Sequence, residues 1–183
     1  MDAKQRREEI AALLRGAKGP ITGSDLAKRL HVSRQLIVGD IALLRTGGLE
    51  IYATPQGYLL PASQQGLGAS RVVAAKHLGE AALRDELETV VDLGGMVVDV
   101  SIEHALYGEF KAMLMLRDRA GVEAFVGALR NSGMEPLSLL TGGVHLHTLS
   151  ARDEQALDRI QQALERKGYL LADEAGNKKA TVS

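Results

Sequence analysis

Residues 61–70, with the sequence PASQQGLGAS, are small, polar and glycine-containing, and the segments on either side follow different patterns. Such a composition is typical of a linker between two folded units. Before the linker, apolar residues recur at helical spacing, and after it extended and helical segments alternate. A chain of 183 residues is long enough for two small domains. The sequence therefore predicts an α+β protein with domains over residues 1–62 and 71–175.

The segment before the linker is predicted to form a winged helix-turn-helix. An amphipathic stripe marks a first helix in KQRREEIAALLRGAK, which ends before a Gly-Pro pair. In GSDLAKRLHVSRQLIVGDIALLR, Ser24 is expected to cap a short helix and Ser33 a longer one. The following EIYATPQGYLL contains two short extended pieces around a turn. This pattern predicts a β-hairpin, which would be the wing.

The longer helix of this motif is predicted to read DNA. Its apolar residues recur at i, i+4 and i+7 and should face the core. The outer face is then free for the major groove, where Arg pairs with guanine and Gln with adenine, while other cations contact phosphates. The predicted DNA-contacting residues are Ser33, Arg34, Gln35, Val38 and Arg45. Residues 1–62 hold nine Lys and Arg against six Asp and Glu, which suits DNA. A solvated face and a protein-binding winged helix are the alternatives.

The segment after the linker is predicted to form a two-layer α/β domain. Its extended segments RVVAAKH, MVVDVSIEH, GEFKAMLML and GVHLHTLSA alternate with three helical ones, which is typical of helices packed on a sheet. There is no Cys, so a metal site would have to use His and carboxylate ligands. The chain has no signal-peptide core and no run of about 18 apolar residues. We therefore expect a cytoplasmic protein with no membrane partner.

Two of the five histidines, His145 and His147, stand at alternate positions of the last predicted strand and so share one face. His77 ends the first strand of this domain, and the next helix carries Asp85, Glu86 and Glu88. If the two strands are neighbours, three imidazoles and one carboxylate converge. Such a set suits Ni²⁺, Zn²⁺ or Fe²⁺ better than Mg²⁺ or Ca²⁺. Hydrogen-bonded structural histidines are the alternative, and spacing alone does not choose among the three carboxylates.

The segments DELETVVDLGGMVVDVSIEHALYGE and PLSLLTGGVHLHTLSA, with KGYLL, resemble the three-histidine (3H) domain. Joined to this winged helix-turn-helix, they make residues 4–172 similar to the nicotinic-acid-responsive repressors of bacterial NAD biosynthesis and niacin uptake. The resemblance implies a homodimer that binds operator DNA when nicotinic acid is present. It also implies a bound divalent metal ion, with nickel as the first candidate and zinc or iron as alternatives. The metal ligands implied by the matching motifs are His77, Glu86, His145 and His147.

The turn IEHALYGE carries two candidates for contact with the effector, His104 and Tyr107. A metal ligand and a structural histidine are the alternatives for His104. Other functions remain open at this point. A metal-responsive regulator would need no organic effector, and a hydrolase would use metal-activated water. An enzyme is not expected, because the sequence has no catalytic motif beyond the possible metal site.

Overall fold

The computed structural model describes residues 2–61 and 68–171. The helices are α1 (Ala3–Gly16), α2 (Gly23–Leu30), α3 (Arg34–Thr46), α4 (Glu80–Asp92), α5 (Arg119–Ser132) and α6 (Glu154–Arg166), with a 3-10 helix over Leu137–Thr141. The strands are β1 (Tyr52–Thr54), β2 (Gly57–Leu59), β3 (Ala69–Lys76), β4 (Met96–His104), β5 (Gly108–Leu116) and β6 (Val144–Ala151). Residues 62–67 of the expected linker and residues 172–175 of the expected second domain lie outside the described residues. Within the described ranges, no helix combines the length and apolar character needed to cross a membrane.

Helices α1 to α3 enclose a small apolar core, as the helical periodicity predicts. Ile10, Leu26, Ile37 and Ile41 are buried in this core. The cap of α3 is Ser33, as predicted, because its Oγ accepts a hydrogen bond from the backbone N–H of Leu36.

The predicted cap of α2 is wrong. Thr22 rather than Ser24 is the N-cap, and its Oγ1 accepts from the N–H of Asp25 at 3.0 Å. The helix begins at Gly23, two residues before the first charged residue, so Ser24 lies inside its first turn. A Ser cap and a Thr cap offer the same hydroxyl acceptor, and spacing alone did not separate them.

The wing consists of the antiparallel pair β1 and β2. It is attached to the helices by two backbone hydrogen bonds, in which Ile21 and Tyr58 exchange N–H and C=O groups at 2.8 and 2.9 Å. Gly57 has a φ of +130°, and a Cβ on it would lie 2.5 Å from the Ile21 carbonyl group. Only glycine allows this close approach. The wing is therefore fixed to the helix-turn-helix.

The second part of the chain is a helix layer on a four-stranded antiparallel sheet of order β3-β6-β4-β5. The predicted strands and helices are all present. Apolar residues of α4, α5 and α6 pack with one face of the sheet in a single core. The buried members with the largest side chains include Leu87, Leu116, Leu149, Leu157 and Ile160. An N-terminal helix-turn-helix followed by a helix-and-sheet domain is the architecture that the sequence predicts.

Candidate metal site and recognition helix

Strands β3 and β6 are neighbours, and this pairing brings the predicted histidines together. His145 lies opposite Ala75 and His147 opposite Val73, while His77 directly follows β3. Both β6 histidines alternate in phase with Leu149, which belongs to the core beneath the helices. The histidine side chains therefore lie on the helix-covered face of the sheet, where both are buried.

Glu86 reaches the same place from α4. Its neighbours along the inner stripe of this helix, Leu83, Leu87 and Val90, pack in the apolar core. Glu86 occupies a position in that stripe where an apolar residue would be expected, and it is fully buried. Buried carboxylates need a specific partner, because removing a charge from water costs several kcal/mol.

The partners of the Glu86 carboxylate are the three histidines. Its Oε2 atom lies 2.6 Å from the Nε2 of His77 and 3.2 Å from the Nε2 of His145. The Nε2 of His147 is 3.5 Å from the same oxygen. Candidate ligand atoms of His77, Glu86 and His145 all lie within 4.8 Å of one another, and His147 borders this group. The ring pairs are edge-on, with centroids 4.8 to 4.9 Å apart.

The backbone fixes which nitrogen of each β6 histidine faces the carboxylate. His145 Nδ1 lies 2.8 Å from the Gly143 carbonyl oxygen, and His147 Nδ1 lies 2.7 Å from that of Asp99. A carbonyl oxygen only accepts, so Nδ1 must carry the proton and donate in both cases. In the neutral imidazole, Nε2 then presents a lone pair toward Glu86. Two lone pairs facing each other require a proton or a cation between them.

Protonation meets this requirement in the metal-free protein. Burial opposes it, but the negative charge of the Glu86 carboxylate, 3.5 Å from His147 Nε2, raises the pKa of His147 above its ordinary value. The same burial would raise the pKa of Glu86, yet hydrogen bonds from His145 and His77 and the positive charge of His147 hold that pKa well below its usual range. The cluster thus favours a carboxylate with positive charge beside it.

Two polar atoms of the cluster still lack a hydrogen-bond partner among the described residues, Glu86 Oε1 and His147 Nε2. Both are potential ligand atoms, and both are buried. Neutral imidazoles whose other nitrogen donates to a carbonyl, together with a carboxylate, form the donor set that borderline divalent ions prefer. The residues present therefore fit a divalent transition metal.

Of the two other carboxylates that spacing left open, Glu88 pairs with Arg119 at 3.3 Å, and Asp85 also points elsewhere. It accepts hydrogen bonds from Lys167 Nζ at 2.8 Å and from the Tyr169 hydroxyl at 2.7 Å. Those contacts lower the pKa of Asp85. Adjacent residues on a helix point about 100° apart. Only Glu86 faces the histidines.

The glycine pair before β6 lies next to the histidine cluster. Gly143 has a φ of +95°, and a Cβ there would lie 2.4 Å from the backbone oxygen of His77. Its own carbonyl orients the His145 ring. Residues 140–143, with the sequence LTGG, therefore form a turn that packs closely against the backbone of His77.

The two predicted effector contacts lie on a different element. His104 ends β4, and its Nδ1 accepts from the backbone N–H groups of Leu106 and Tyr107. The ring of Tyr107 lies 5.3 Å from that of His104 and 5.8 Å from that of Phe110, and Tyr107 is 71% exposed. These residues form an aromatic cluster at the tip of the β4–β5 hairpin, separate from Glu86 and the three histidines around it.

The predicted DNA-contacting residues divide into two groups. Ser33, Arg34 and Gln35 are exposed at the N-terminus of α3, and Val38 is half-buried one turn later. Arg45, at the other end of the helix, donates two hydrogen bonds to the carbonyl of Ile51 at 2.9 and 2.7 Å. The guanidinium of Arg45 therefore ties α3 to the wing.

Sequence reasoning missed the residues that orient the histidines and cover the site. Asp99 supplies the carbonyl for His147, and its carboxylate accepts from the N–H of Thr148. Tyr169 packs its ring 5.3 Å from that of His77. An acidic residue within the apolar run MVVDV was a usable signal for Asp99. Tyr169 belongs to the KGYLL motif, but no local pattern predicts its contact with His77, which arises only through the fold.

The two parts of the chain each match a known protein family. Residues 70–173 match the 3H domain, and residues 6–59 match an HTH domain. The chain is 43% identical over 170 residues to the probable transcription repressor NiaR of Thermotoga maritima, covering 93% of this chain and 95% of that protein. It is also 43% identical over 170 residues to the transcription repressor NadR of Bacillus subtilis, covering 92% and 94%.

A match of this extent confirms the resemblance found in the motifs, and it spans both parts of the chain. The two relatives are named as repressors. The chain belongs to the family of transcription repressors that join a helix-turn-helix to a 3H domain.

Proposed function

We propose that this protein is a DNA-binding repressor whose 3H domain holds a divalent metal through His77, Glu86, His145 and His147 and responds to nicotinic acid. Nickel is the first candidate for the metal, with zinc and iron as alternatives. The regulated genes would be those of NAD biosynthesis or niacin uptake, and the protein would act as a homodimer without catalysing a reaction.

The observation that carries the metal proposal is the orientation of the rings. Both β6 histidines commit Nδ1 to a backbone carbonyl, so only Nε2 is available, and it faces a buried carboxylate. A divalent ion bound by these residues would supply the positive charge that the carboxylate otherwise obtains from protonated imidazole.

A cleft beside the cluster supports binding of a small organic effector. It has a volume of about 350 Å³ and is bordered by His77. Its lining includes Leu83 and Leu129 for an aromatic ring and the guanidinium of Arg130, which pairs with Glu80. Small-molecule sites are concave, mostly apolar and have a few polar groups. This cleft is a second candidate location for the pyridine carboxylate. The first is the exposed pair His104 and Tyr107.

The proposed DNA contact uses the exposed N-terminus of α3. Arg34 and Gln35 are exposed there, as base-reading residues of a recognition helix must be. An effector can regulate only if it binds the DNA-competent form more tightly than the other forms. In a dimer, that form places the two recognition helices about one DNA turn apart.

Fluorescence anisotropy of a labelled promoter fragment from the protein's own operon tests the proposal. Nickel-loaded protein is titrated with and without nicotinic acid, and EDTA-treated protein serves as the metal-free reference. We expect tight binding only when both metal and nicotinic acid are present. A full response to metal alone would instead indicate a metal-responsive regulator without an organic effector.

Variants test the proposed DNA contact and the proposed effector site in the same assay. We expect Arg34→Ala to weaken operator binding about tenfold or more, since one base contact contributes about 1–3 kcal/mol. Lys4→Ala, at an exposed position of α1, is the control for loss of one positive charge. Unchanged binding by Arg34→Ala would place the DNA contact on another face.

Comparing Tyr107→Ala with Leu139→Ala, which alters the cleft, then assigns the effector to one of the two candidate locations.

A further inference from the structure

The wing of this protein packs against the sheet of the 3H domain. Leu59 of β2 is 1% exposed, and it is buried against Met96 and Met115 on the sheet face opposite the helices. Val98, Met113 and Tyr52 pack around them, partly buried. This group of six residues is called the wing contact below.

The sheet side of the wing contact is built on two successive β-bulges. Relative to β6, strand β4 has one additional residue, Val98, between Val97 and Asp99. Relative to β4, strand β5 has an additional residue before Leu116. Met115 lies in that irregular stretch with a φ of +52°. Left-handed backbone at a residue other than glycine persists only where the surroundings require it. Bulges of this kind redirect side chains, often beside functional sites.

The β4 bulge also reaches the candidate metal site. Asp99, directly after Val98, accepts the Nδ1 hydrogen bond of His147 through its carbonyl oxygen at 2.7 Å. Its carboxylate accepts from the N–H of Thr148 at 3.1 Å, next to the same histidine. Val98 and Asp99, whose carbonyl orients His147, are thus adjacent residues of one bulge.

The helix-turn-helix side of the contact is equally direct. The wing is bonded to Ile21, and Arg45 of the recognition helix donates two hydrogen bonds to Ile51, the residue before β1. A displacement of the wing must therefore carry α3 with it. Three of the five methionines of the chain lie in the wing contact. Methionine side chains are flexible and repack readily, which suits an interface with more than one arrangement.

We propose that the wing is an internal docking element, which couples the 3H site to the recognition helix through His147, the Asp99 bulge and the wing contact. The coupling rests on the metal site of the proposed function, whereas the docking does not. Movement of the His147 ring changes the position of the Asp99 carbonyl and hence of Val98. The wing contact then shifts Leu59 and, through Arg45, the orientation of α3.

Distances between spin labels test both parts in the full chain. The protein has no Cys, so Glu9→Cys on α1 and Gln155→Cys on α6, both exposed, give one labelled pair in each chain. Mixing with an excess of unlabelled protein isolates the distance within one chain from distances across a dimer. Double electron–electron resonance is recorded in EDTA and in Ni²⁺, while calorimetry measures Ni²⁺ uptake on the same samples. We expect a narrow distance distribution whose mean or width changes when Ni²⁺ binds.

Leu59→Ser and Val98→Ala are introduced in the labelled background to disrupt the wing contact. We expect each to take up Ni²⁺ with the parent's stoichiometry, to broaden the distribution roughly twofold, and to lose its change with Ni²⁺, because domains without a firm interface move freely. Val72→Ala is the matched control for Val98→Ala, since Val72 is 61% exposed on β3. Val98→Ala is the smaller perturbation should Leu59→Ser fail to fold.

The outcomes separate the two parts. Equal distributions for the parent and Val98→Ala in EDTA would overturn the docking. Narrow distributions that Ni²⁺ leaves unchanged, despite uptake measured by calorimetry, would overturn the coupling alone. Absence of Ni²⁺ uptake by the parent would overturn the metal site and the coupling together, and the docking would still be decided by the EDTA spectra.

Discussion

Asp40 in the helix-turn-helix and Glu86 in the 3H domain are both buried carboxylates, and their partners differ. Asp40 accepts from Arg6 Nε at 2.6 Å and from Arg6 Nη2 at 3.3 Å, with Arg7 3.7 Å away. An arginine is permanently charged, so this pair is complete in the folded protein. Glu86 instead faces three imidazoles, whose charge depends on pH, and one of its oxygens has no partner among the described residues.

The difference distinguishes a structural ion pair from the proposed metal site. The Asp40 pair fixes α1 against α3 and leaves nothing to be added. In the Glu86 cluster, backbone carbonyls orient the histidine side chains. The positive charge that balances the carboxylate must come from a proton or a bound cation. Burial of a carboxylate alone therefore does not indicate function, whereas burial with titratable and incomplete partners does.

The largest effect on this comparison is expected from Glu86→Gln. An amide keeps the shape but removes the charge, so Ni²⁺ affinity should fall by about 100-fold or more, beyond the usual loss for a residue that only supports a ligand. Isothermal titration calorimetry measures it. Asp85→Asn, one residue away and bound to Lys167, is the control and should bind Ni²⁺ as the parent does. Equal affinity in the parent and Glu86→Gln would exclude Glu86 as a ligand.

A different result is expected from Asp40→Asn. Loss of the carboxylate leaves Arg6 without its partner, so Tm should fall by about 5–10 °C in both EDTA and Ni²⁺. Ni²⁺ affinity should be unchanged. Differential scanning calorimetry with the two variants side by side shows whether stability and metal binding separate. A loss of Ni²⁺ binding in Asp40→Asn would mean that the two carboxylates are not independent.

The smallest effect is expected from pH. In the metal-free protein the pKa of His147 is raised above its ordinary 6.5, so its stabilising contribution is present below pH 6.5 and is lost as pH rises through the raised value. The pKa of Glu86 is lowered below its ordinary 4.5, so its contribution is present above pH 4.5 and is lost as pH falls through the lowered value.

Taken together, the contribution of the cluster to Tm in EDTA should be greatest between about pH 4.5 and 6.5. Protons compete with the metal for the same imidazoles. The increase in Tm caused by Ni²⁺ should therefore grow from about pH 5.5 to about pH 7.5, which is roughly one unit on either side of the ordinary histidine pKa. Thermal unfolding across this range measures both trends. Glu86→Gln should flatten them, and a parallel curve for that variant would assign the pH dependence to other groups.

The sequence by itself determined the local features of this protein. Helical periodicity and a serine cap defined α3 and left Arg34 and Gln35 exposed, because these signals lie within a few residues of one another. The spacing of His145 and His147 placed both imidazoles on one face of β6, since side chains alternate along any strand. The motifs around them indicated the repressor family.

The tertiary structure alone decided what depends on distant segments meeting. It selected Glu86 over Asp85, because the packing of α4 on the sheet fixes which helix face is buried. It supplied the Asp99 carbonyl to His147 from a neighbouring strand through a bulge that no local pattern predicts. It also placed Leu59 of the wing against the methionines of the sheet. Register and packing between elements are set by the whole core, so residues far apart in sequence determine them together.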